Sequence, residues 1–468
     1  MYGLGGVANQ ALAIILVPIY ARALGVGNYG TVAILTTTLS LMTLTVTLAL
    51  PQAFFRSYLK EADDDPQRAA VLRTAAGLRL IVSLVGTLLI AASSVPLAIL
   101  LLGDVEAWHL LALLGPIVFF DTLNLVPLSL LRAQRRPRPY AAVSFSRAVL
   151  GSALIILFVV VLELGVLGVV LGSLASALVT AAAGWLILLR DGGLRLALDR
   201  RLARHMLVFS IPLVPAAVAG WTLNLSDRYV IAAFAGREAV GLYSAGYTVG
   251  LAINALAIAP FTLAWGAAYW EIARQDNARQ VIGRVLTGFV SLASFLALGL
   301  GALGTDAIRI LLTSDFEQGR YVTPFSAFAY VLYGSFTIVT TGLNLEGQTR
   351  RVPLVMGMAA GANLVLNLAL VPILGFMGAA AATLASYGIL AVAGGLVSQR
   401  YYAVPWDLPR VTGLLVLAMG LSTAAVLGPD HAGWRLACVI AYPVLAIGLR
   451  LLPMDTLKPL VQLVRSKR

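Results

Sequence analysis

The sequence is built from apolar segments of about twenty residues, separated by short polar stretches. Because a helix of that length spans the hydrocarbon core of a bilayer, each segment is a candidate transmembrane helix. Hydrophobic residues make up 60% of the chain and charged residues 12%, about half the charged fraction of a soluble domain. This composition excludes a soluble multidomain protein, a disordered chain and a coiled coil. A single cysteine, Cys438, excludes a disulfide scaffold. We therefore predict an all-α polytopic membrane protein.

The apolar segments predict about fourteen transmembrane helices. They cover residues 2–21, 29–50, 77–102, 108–131, 141–162, 165–189, 206–226, 241–262, 284–304, 324–345, 354–373, 377–397, 411–427 and 434–452. The loops between them fall into two alternating sets, one with 24 Lys and Arg residues and the other with five. Because basic loops stay in the cytoplasm, we expect both termini to be cytoplasmic.

An internal repeat predicts two lobes of the same topology. A shift of 210 residues aligns 164–168 with 374–378, a shift of 211 aligns Gly25 with Gly236, and a shift of 214 aligns 131–139 with 345–353. Two lobes related by an axis along the membrane normal follow from a parallel repeat. We predict an N-terminal lobe (1–190), an amphipathic cytoplasmic linker (191–205), a C-terminal lobe (206–400), and two further helices with a cytoplasmic tail (401–468).

Several short motifs resemble bacterial polysaccharide (oligosaccharide) flippases. They lie at residues 18–25 (PIYARALG), 28–30 (NYG), 226–228 (SDR), 241–247 (GLYSAGY), 347–348 (GQ) and 374–380 (LGFMGAA). That family belongs to a superfamily that includes the multidrug/toxin exporters and the lipid II flippases. The resemblance implies a protein of the bacterial inner membrane that moves a polyprenyl-diphosphate-linked oligosaccharide. It also implies polysaccharide polymerase and ligase partners. Because the basic residues lie in short clusters between apolar runs, we expect no nucleic-acid partner.

Enzyme chemistry finds no support in the sequence. The three lysines follow no P-loop glycine pattern, and the three histidines lie at the edges of different segments. No loop between the predicted helices exceeds about 26 residues, which is too short for a catalytic domain. We expect no metal, no cofactor and no catalytic residue.

A charged residue inside a predicted helix requires an explanation, because inserting its side chain at mid-bilayer costs roughly 2.5–3.5 kcal/mol of free energy. Arg79, Arg147 and Arg228 are the candidates for binding diphosphate, which suits the planar guanidinium fork. The alternatives are snorkelling to the interface for Arg79 and Arg147, and a local ion pair with Asp227 for Arg228. Candidates for coupling or gating are Asp121, Asn124 and Asp227. A structural acid paired with an arginine is the alternative for Asp121.

Polar and aromatic residues at helical spacing predict a wet cavity in the C-terminal lobe. Such a stripe either lines a cavity or packs against another helix through hydrogen bonds. The candidate lining residues are Tyr243, Tyr247, Asn254, Tyr330, Tyr333, Thr337, Thr341, Asn344, Asn363 and Asn367.

The sequence leaves four functions to compare, and the flippase is favoured. A multidrug/toxin antiporter of the same superfamily is expected to favour acidic residues for cations, whereas the intramembrane balance here is basic. A lipid II flippase normally has a Ser-Arg and Gly-Phe-Arg pattern after the first span, which is absent here. A non-transporting scaffold for glycan assembly is the fourth.

Overall fold

Helices form wherever the sequence carries its apolar runs. The computed structural model describes residues 2–60, 66–190 and 197–452. Within these ranges the regular structure is helical, with no β-strand. A backbone in hydrocarbon must satisfy its own hydrogen bonds, and a helix does so within one segment.

The first compact unit contains the described residues up to Trp221 together with Gly236–Val240. Its helices are α1 (Tyr2–Thr47), α2 (Leu50–Tyr58), α3 (Pro66–Leu102), α4 (Trp108–Ala133), α5 (Pro137–Ile156), α6 (Gly165–Arg190), α7 (Arg200–Ser210) and most of α8 (Val214–Leu225). Within it, α4 packs against α3 and α6, and α5 packs against α1 and α6.

The second compact unit contains Thr222–Ala235 and the described residues from Gly241 onward. Its helices are α9 (Asp227–Ile253, apart from 236–240), α10 (Ala259–Ile272), α11 (Ala278–Leu311), α12 (Val322–Val339), α13 (Thr341–Leu345), α14 (Arg351–Leu374), α15 (Phe376–Gln399), α16 (Leu408–Leu427) and α17 (Ala432–Gly448). In this unit α11 packs against α12 and α16, and α15 packs against α12 and α14.

The unit boundary differs from the predicted lobe boundary. The sequence ends the first lobe at residue 190, whereas the contacts assign α7 and the first part of α8 to the first unit. The last two helices, predicted as an appendage, pack on α11 within the second unit. Ala302 of α11, Ala425 of α16 and the free Cys438 of α17 form one buried cluster there.

The predicted count of fourteen spans is not confirmed. In the described ranges, eleven helical stretches are long and apolar enough to cross a membrane. Predicted spans 7 and 8 fall within one such stretch, Arg200–Ile272, and the first stretch begins only at Ala21, after most of predicted span 1. The last predicted span is the shorter helix α17 of 17 residues. At Gly25 and Gly236 two helices meet at a kink with no loop between them, so apolar runs do not correspond one to one with separate elements.

In the described part of the predicted amphipathic linker, the helix begins only at Arg200. Residues 191–196 lie outside the described part of the chain, and 197–199 are not helical. Asp199 caps α7 by accepting hydrogen bonds from the backbone N–H groups of Arg201 and Leu202. A single turn of 3-10 helix at Ile211–Leu213, which contains Pro212, then separates α7 from α8.

The two repeats share local backbone geometry. Gly25 interrupts α1 with φ 71° and ψ 172°, and Gly236 interrupts α9 with φ 84° and ψ 175°. These angles lie in a region that only glycine enters readily. Gly165 and Gly375, aligned by the shift of 210, have φ of 56° and 58°.

A third pair of equivalent turns is related by 212 residues, where the sequence match indicates a shift of 214. The backbone N–H of Arg136 donates to Leu131 O over 2.9 Å, and that of Gln348 donates to Leu343 O over 2.7 Å. Both bonds join residues five apart and end a helix in the same way. These two turns are 212 residues apart, so the structural offset here is two residues smaller than the sequence match indicates.

Candidate functional site

Arg147 and Asp121 form a two-pronged ion pair in the first unit. Arg147 Nε lies 2.9 Å from Asp121 Oδ1, and Nη2 lies 3.1 Å from Oδ2. Arg147 Nη1 donates to the hydroxyl of Ser176 on α6. The two side chains keep 28% and 25% of their surface exposed. The pair therefore joins α4 and α5 as a neutral unit that remains partly exposed.

Arg79 caps the end of a helix. Its side chain is 2% exposed, and its Nη atoms donate to Val46 O and Thr47 O, each over 3.1 Å. These carbonyls lie in the last turn of α1, where the next two residues have positive φ and the helix cannot continue. Arg79 thus satisfies carbonyls that would otherwise be unpaired in an apolar environment, and its donors are not directed outward.

Asn124 is buried one turn beyond Asp121. It faces Gly184 of α6, where an added Cβ would meet the Asn124 amide oxygen. That oxygen is buried and has no hydrogen-bond partner among the described residues. Asn124 therefore belongs to the α4–α6 packing and does not share the exposure of the Arg147–Asp121 pair.

Asp227 and Arg228 form a second ion pair, in the second unit. Arg228 Nη1 lies 2.7 Å from Asp227 Oδ1 and donates to Asn224 O over 3.0 Å. Asp227 is only 1% exposed and Arg228 6%. The guanidinium also lies over the rings of Tyr243 and Tyr247, at 5.4 and 4.6 Å from their centroids. Asp227 and these two rings enclose the charge.

A tyrosine cluster surrounds this pair. Tyr243 donates to Asp227 Oδ2, and the hydroxyls of Tyr247 and Tyr330 lie 3.3 Å apart. Tyr330 and Tyr387 both donate to Asn224 Oδ1, over 3.2 and 2.6 Å. Hydrogen bonding of this kind offsets the cost of burying hydroxyl and charged groups in an apolar interior.

Sequence reasoning missed Tyr387 of the tyrosine cluster and Asn224, which accepts hydrogen bonds from it. Asn224 lies one helical turn before Arg228, and Tyr387 lies one turn after Thr383 in a helix of small residues. Extending the search for polar stripes by one turn from Asp227 and through α15 would have found both.

The other predicted lining residues divide by exposure. Thr341 is buried and accepts a hydrogen bond from Trp265 Nε1 over 2.9 Å. Asn363 and Asn367 are buried on α14, where the Asn367 amide donates to Asn363 Oδ1 over 3.1 Å. Four of the predicted lining residues remain partly exposed: Tyr333, Thr337, Asn344 and Asn254. Asn254 lies in a π-helical stretch, Asn254–Ile258.

A network of charges in the second unit was also missed. Arg309 of α11 pairs with Asp430 over 2.6 Å and with Glu317, which pairs with Arg320 over 3.0 Å. Arg435 of α17 contacts Asp430 and lies 2.5 Å from Asp306. The pKa of Asp430 lies below its ordinary value, chiefly because Arg309 donates hydrogen bonds to its carboxylate. Three cations and three acids thus join α11, the turn after it, and α17.

Metal chemistry has no candidate ligand set in the described ranges, where no three His, Cys, Asp or Glu residues come together. The polar groups of the two units are instead arginines, tyrosines, amides and paired carboxylates, which bind by hydrogen bonds and charge.

Comparisons with known proteins agree with this fold. The model of a family described as "Polysaccharide biosynthesis protein" matches residues 1–265. The structure resembles the lipid II flippase MurJ in an inward closed conformation, with 14% identity and a TM-score of 0.76 over 96% of this chain and 99% of that chain. No curated protein matches the sequence.

Multidrug transporters share the fold. An inward-facing multidrug resistance MATE family transporter of the MOP superfamily has 16% identity and a TM-score of 0.64, over 86% of this chain and 95% of that one. A Vibrio cholerae MATE transporter has 15% identity and a TM-score of 0.52, over 86% and 98%. At these identities the likeness is one of fold.

Proposed function

This chain belongs to the polysaccharide biosynthesis protein family, and from that premise we propose that it is a flippase for polyprenyl-diphosphate-linked oligosaccharides. It takes the lipid-linked glycan from the cytoplasmic to the outer leaflet of the bacterial inner membrane by alternating access. The observation that carries the proposal is the partly exposed Arg147, a guanidinium held within the membrane helices by a two-pronged contact with Asp121.

Among the three candidate arginines, Arg147 is the one whose side chain remains accessible. Arg79 donates to helix-end carbonyls and Arg228 is enclosed by tyrosines. Two oxygens of a phosphate group can accept hydrogen bonds from the guanidinium fork, as the two oxygens of a carboxylate do. We assign Asp121 as the resting partner of Arg147, and the diphosphate competes with Asp121 for the guanidinium. Exchange between the two partners keeps the guanidinium of Arg147 paired at each stage.

The buried arginine and tyrosines support a different role. Asp227, Arg228, Tyr243, Tyr247 and Tyr330 satisfy one another inside the second unit, so we assign them to holding its helices together. We assign the binding of sugar hydroxyls to four partly exposed residues with amide or hydroxyl groups that can form hydrogen bonds. They are Asn254, Tyr333, Thr337 and Asn344.

A deletion strain tests the proposal. Lipid-linked sugars and surface glycan are measured in the same cells, before and after complementation with the wild-type chain, Arg147→Gln or Arg284→Gln. Arg284 is exposed at the start of α11 and serves as the control. We expect a lipid-linked oligosaccharide to accumulate and surface polymer to fall, with rescue by wild type and Arg284→Gln only.

Other outcomes identify the rival functions. Normal glycan with new sensitivity to cationic drugs would replace the proposal by a cation antiporter, and accumulation of lipid II would replace it by a peptidoglycan-precursor flippase. The carboxylates Asp121 and Asp227 are both paired with arginine, which does not favour a cation site.

A further inference from the structure

An apolar groove runs between α3 and α7 in the first unit, and we name it the α3–α7 groove. Its volume is about 650 Å³, within the range of small-molecule sites. Apolar side chains form its floor and walls, and two arginines of α7 lie along it. The residues used below are Ile81, Leu198, Val208, Ile211, Arg200 and Arg204.

The groove is a built feature, because α7 is fixed against α3. The backbone N–H of Asp199 donates to Thr74 Oγ1 over 3.3 Å. Gly77 lets the backbone approach closely, since an added Cβ there would lie 2.9 Å from Ala197 O. Met206 and Ala203 are buried on the inner side of α7. One face of α7 is thus packed, and the adjoining face is left to line the groove.

The walls of the groove are apolar and uncovered. Ile81 is 47% exposed, Leu198 44%, Val208 66% and Ile211 51%. A concave apolar surface of this kind in a membrane protein takes up a hydrocarbon chain, because the alternative is a poorly packed void.

Two arginines beside the groove favour a ligand with an anionic headgroup. Arg200 and Arg204 are four residues apart, so they lie on one face of α7. Both are exposed, and in the part of the chain that the structure describes neither has a carboxylate at ion-pair distance. Two cations beside an apolar groove complement an anionic amphiphile, with phosphate on the arginines and the chain in the groove.

We propose that the α3–α7 groove binds an anionic phospholipid of the surrounding bilayer. One acyl chain lies against Ile81, Val208 and Ile211, and the headgroup phosphate bridges Arg200 and Arg204. The site is separate from the Arg147–Asp121 pair and does not depend on which substrate the protein moves.

Lipid titration of the purified full-length protein tests this site. The protein is delipidated in detergent, and native mass spectrometry measures binding of phosphatidylglycerol and phosphatidylcholine with identical acyl chains. We expect phosphatidylglycerol to bind more tightly. Arg200→Gln/Arg204→Gln should weaken it about 30-fold, at about 1 kcal/mol per basic residue. Arg200→Lys/Arg204→Lys keeps both charges and should retain the preference.

Two further variants distinguish binding in the groove from a general effect of positive charge and from nonspecific lipid binding. Arg73→Gln/Arg201→Gln removes two exposed arginines of α3 and α7 outside the groove, and should change the affinity less than threefold. Val208→Trp fills the groove without changing charge and should weaken both lipids. The proposal is overturned if the two double Gln variants weaken phosphatidylglycerol equally, if phosphatidylcholine binds as tightly, or if Val208→Trp has no effect.

Discussion

At the scale of single residues, partner and exposure distinguish the arginines that the sequence makes equivalent. Arg147 is paired in a two-pronged contact and partly exposed, Arg79 donates to backbone carbonyls, and Arg228 is enclosed. All three are arginines near or within apolar segments. Only the position of their neighbours separates a binding residue from a helix cap and an internal ion pair.

Removing one member of the Arg147–Asp121 pair should cost both stability and transport. Arg147→Gln leaves the partly buried Asp121 without its partner, and we expect a loss of about 1–3 kcal/mol in the free energy of unfolding. Asp121→Asn should also destabilise the protein. Thermal unfolding of purified protein and translocation in proteoliposomes measure the two effects separately.

A charge swap decides whether the pair is more than structural. Asp121→Arg/Arg147→Asp restores opposite charges and should recover much of the stability. Translocation should stay low, because the cation then projects from α4 and no longer from α5. Recovery of both properties would mean that the pair serves stability alone.

At the scale of elements, tight turns and charge networks decide where helices end and how they are held. Gly25 and Gly236 break α1 and α9 at equivalent points of the repeat. In the second unit, Arg309 and Arg435 join α11 and α17 through Asp430. The glycine breaks and the charge network both lie between apolar segments. The apolar character of those segments would not by itself fix how the helices are arranged.

Gly25→Ala and Gly236→Ala should each destabilise the protein through backbone strain alone. Nothing lies within 4 Å of a Cβ at either position, so crowding plays no part. The expected loss is about 1–3 kcal/mol. Gly361→Ala, in an open helical position of α14, should instead gain about 0.5–1 kcal/mol. Equal melting temperatures for Gly25→Ala and Gly361→Ala would contradict this explanation.

Acid should selectively weaken the α11–α17 connection. The folded-state pKa of Asp430 is lowered from its ordinary value of 3.8. Its stabilising contribution is therefore present above 3.8 and is lost as pH falls through the lower folded-state value. The melting temperature of wild type should exceed that of Asp430→Asn at neutral pH, and the two should converge in acid.

Asp276→Asn provides the control for this pH dependence. Asp276 is exposed, and the described residues include no basic partner for it at ion-pair distance. Its variant should follow the wild-type pH profile throughout. A constant difference between wild type and Asp430→Asn at every pH would reject the ion-pair explanation.

At the scale of the whole molecule, the basic loops and the basic intramembrane balance suit an anionic cargo. The chain has a formal net charge of +12 at pH 7. The proposed diphosphate cargo carries negative charge outward, so a negative-inside potential favours its export. At about 2.3 kcal/mol per charge per 100 mV, two uncompensated charges gain about 4.6 kcal/mol.

Collapse of the membrane potential should therefore slow translocation. Proteoliposomes with a potassium gradient, with and without a potassium ionophore, measure the dependence on voltage. Dissipating only the pH gradient serves as the control and should have a smaller effect. An unchanged rate at zero potential would exclude voltage as an energy source for the proposed transport.

The sequence by itself determined the membrane class, the helical architecture and the family. The first two depend on single segments, because a run of about twenty apolar residues satisfies its own hydrogen bonds in lipid. The count of fourteen spans was not confirmed, because two predicted spans meet at the Gly236 kink within one apolar stretch and the last predicted span is a helix of only 17 residues.

Only the tertiary structure decided which polar groups meet. Asp121 pairs with Arg147 across 26 residues, Tyr387 reaches Asn224 across 163, and Arg309 reaches Asp430 across 121. A polar stripe has the same helical period whether it faces a cavity or another helix, so its partner cannot be read from its spacing. That partner depends on contacts between distant segments, and these fix the exposure of every charge within the apolar helices.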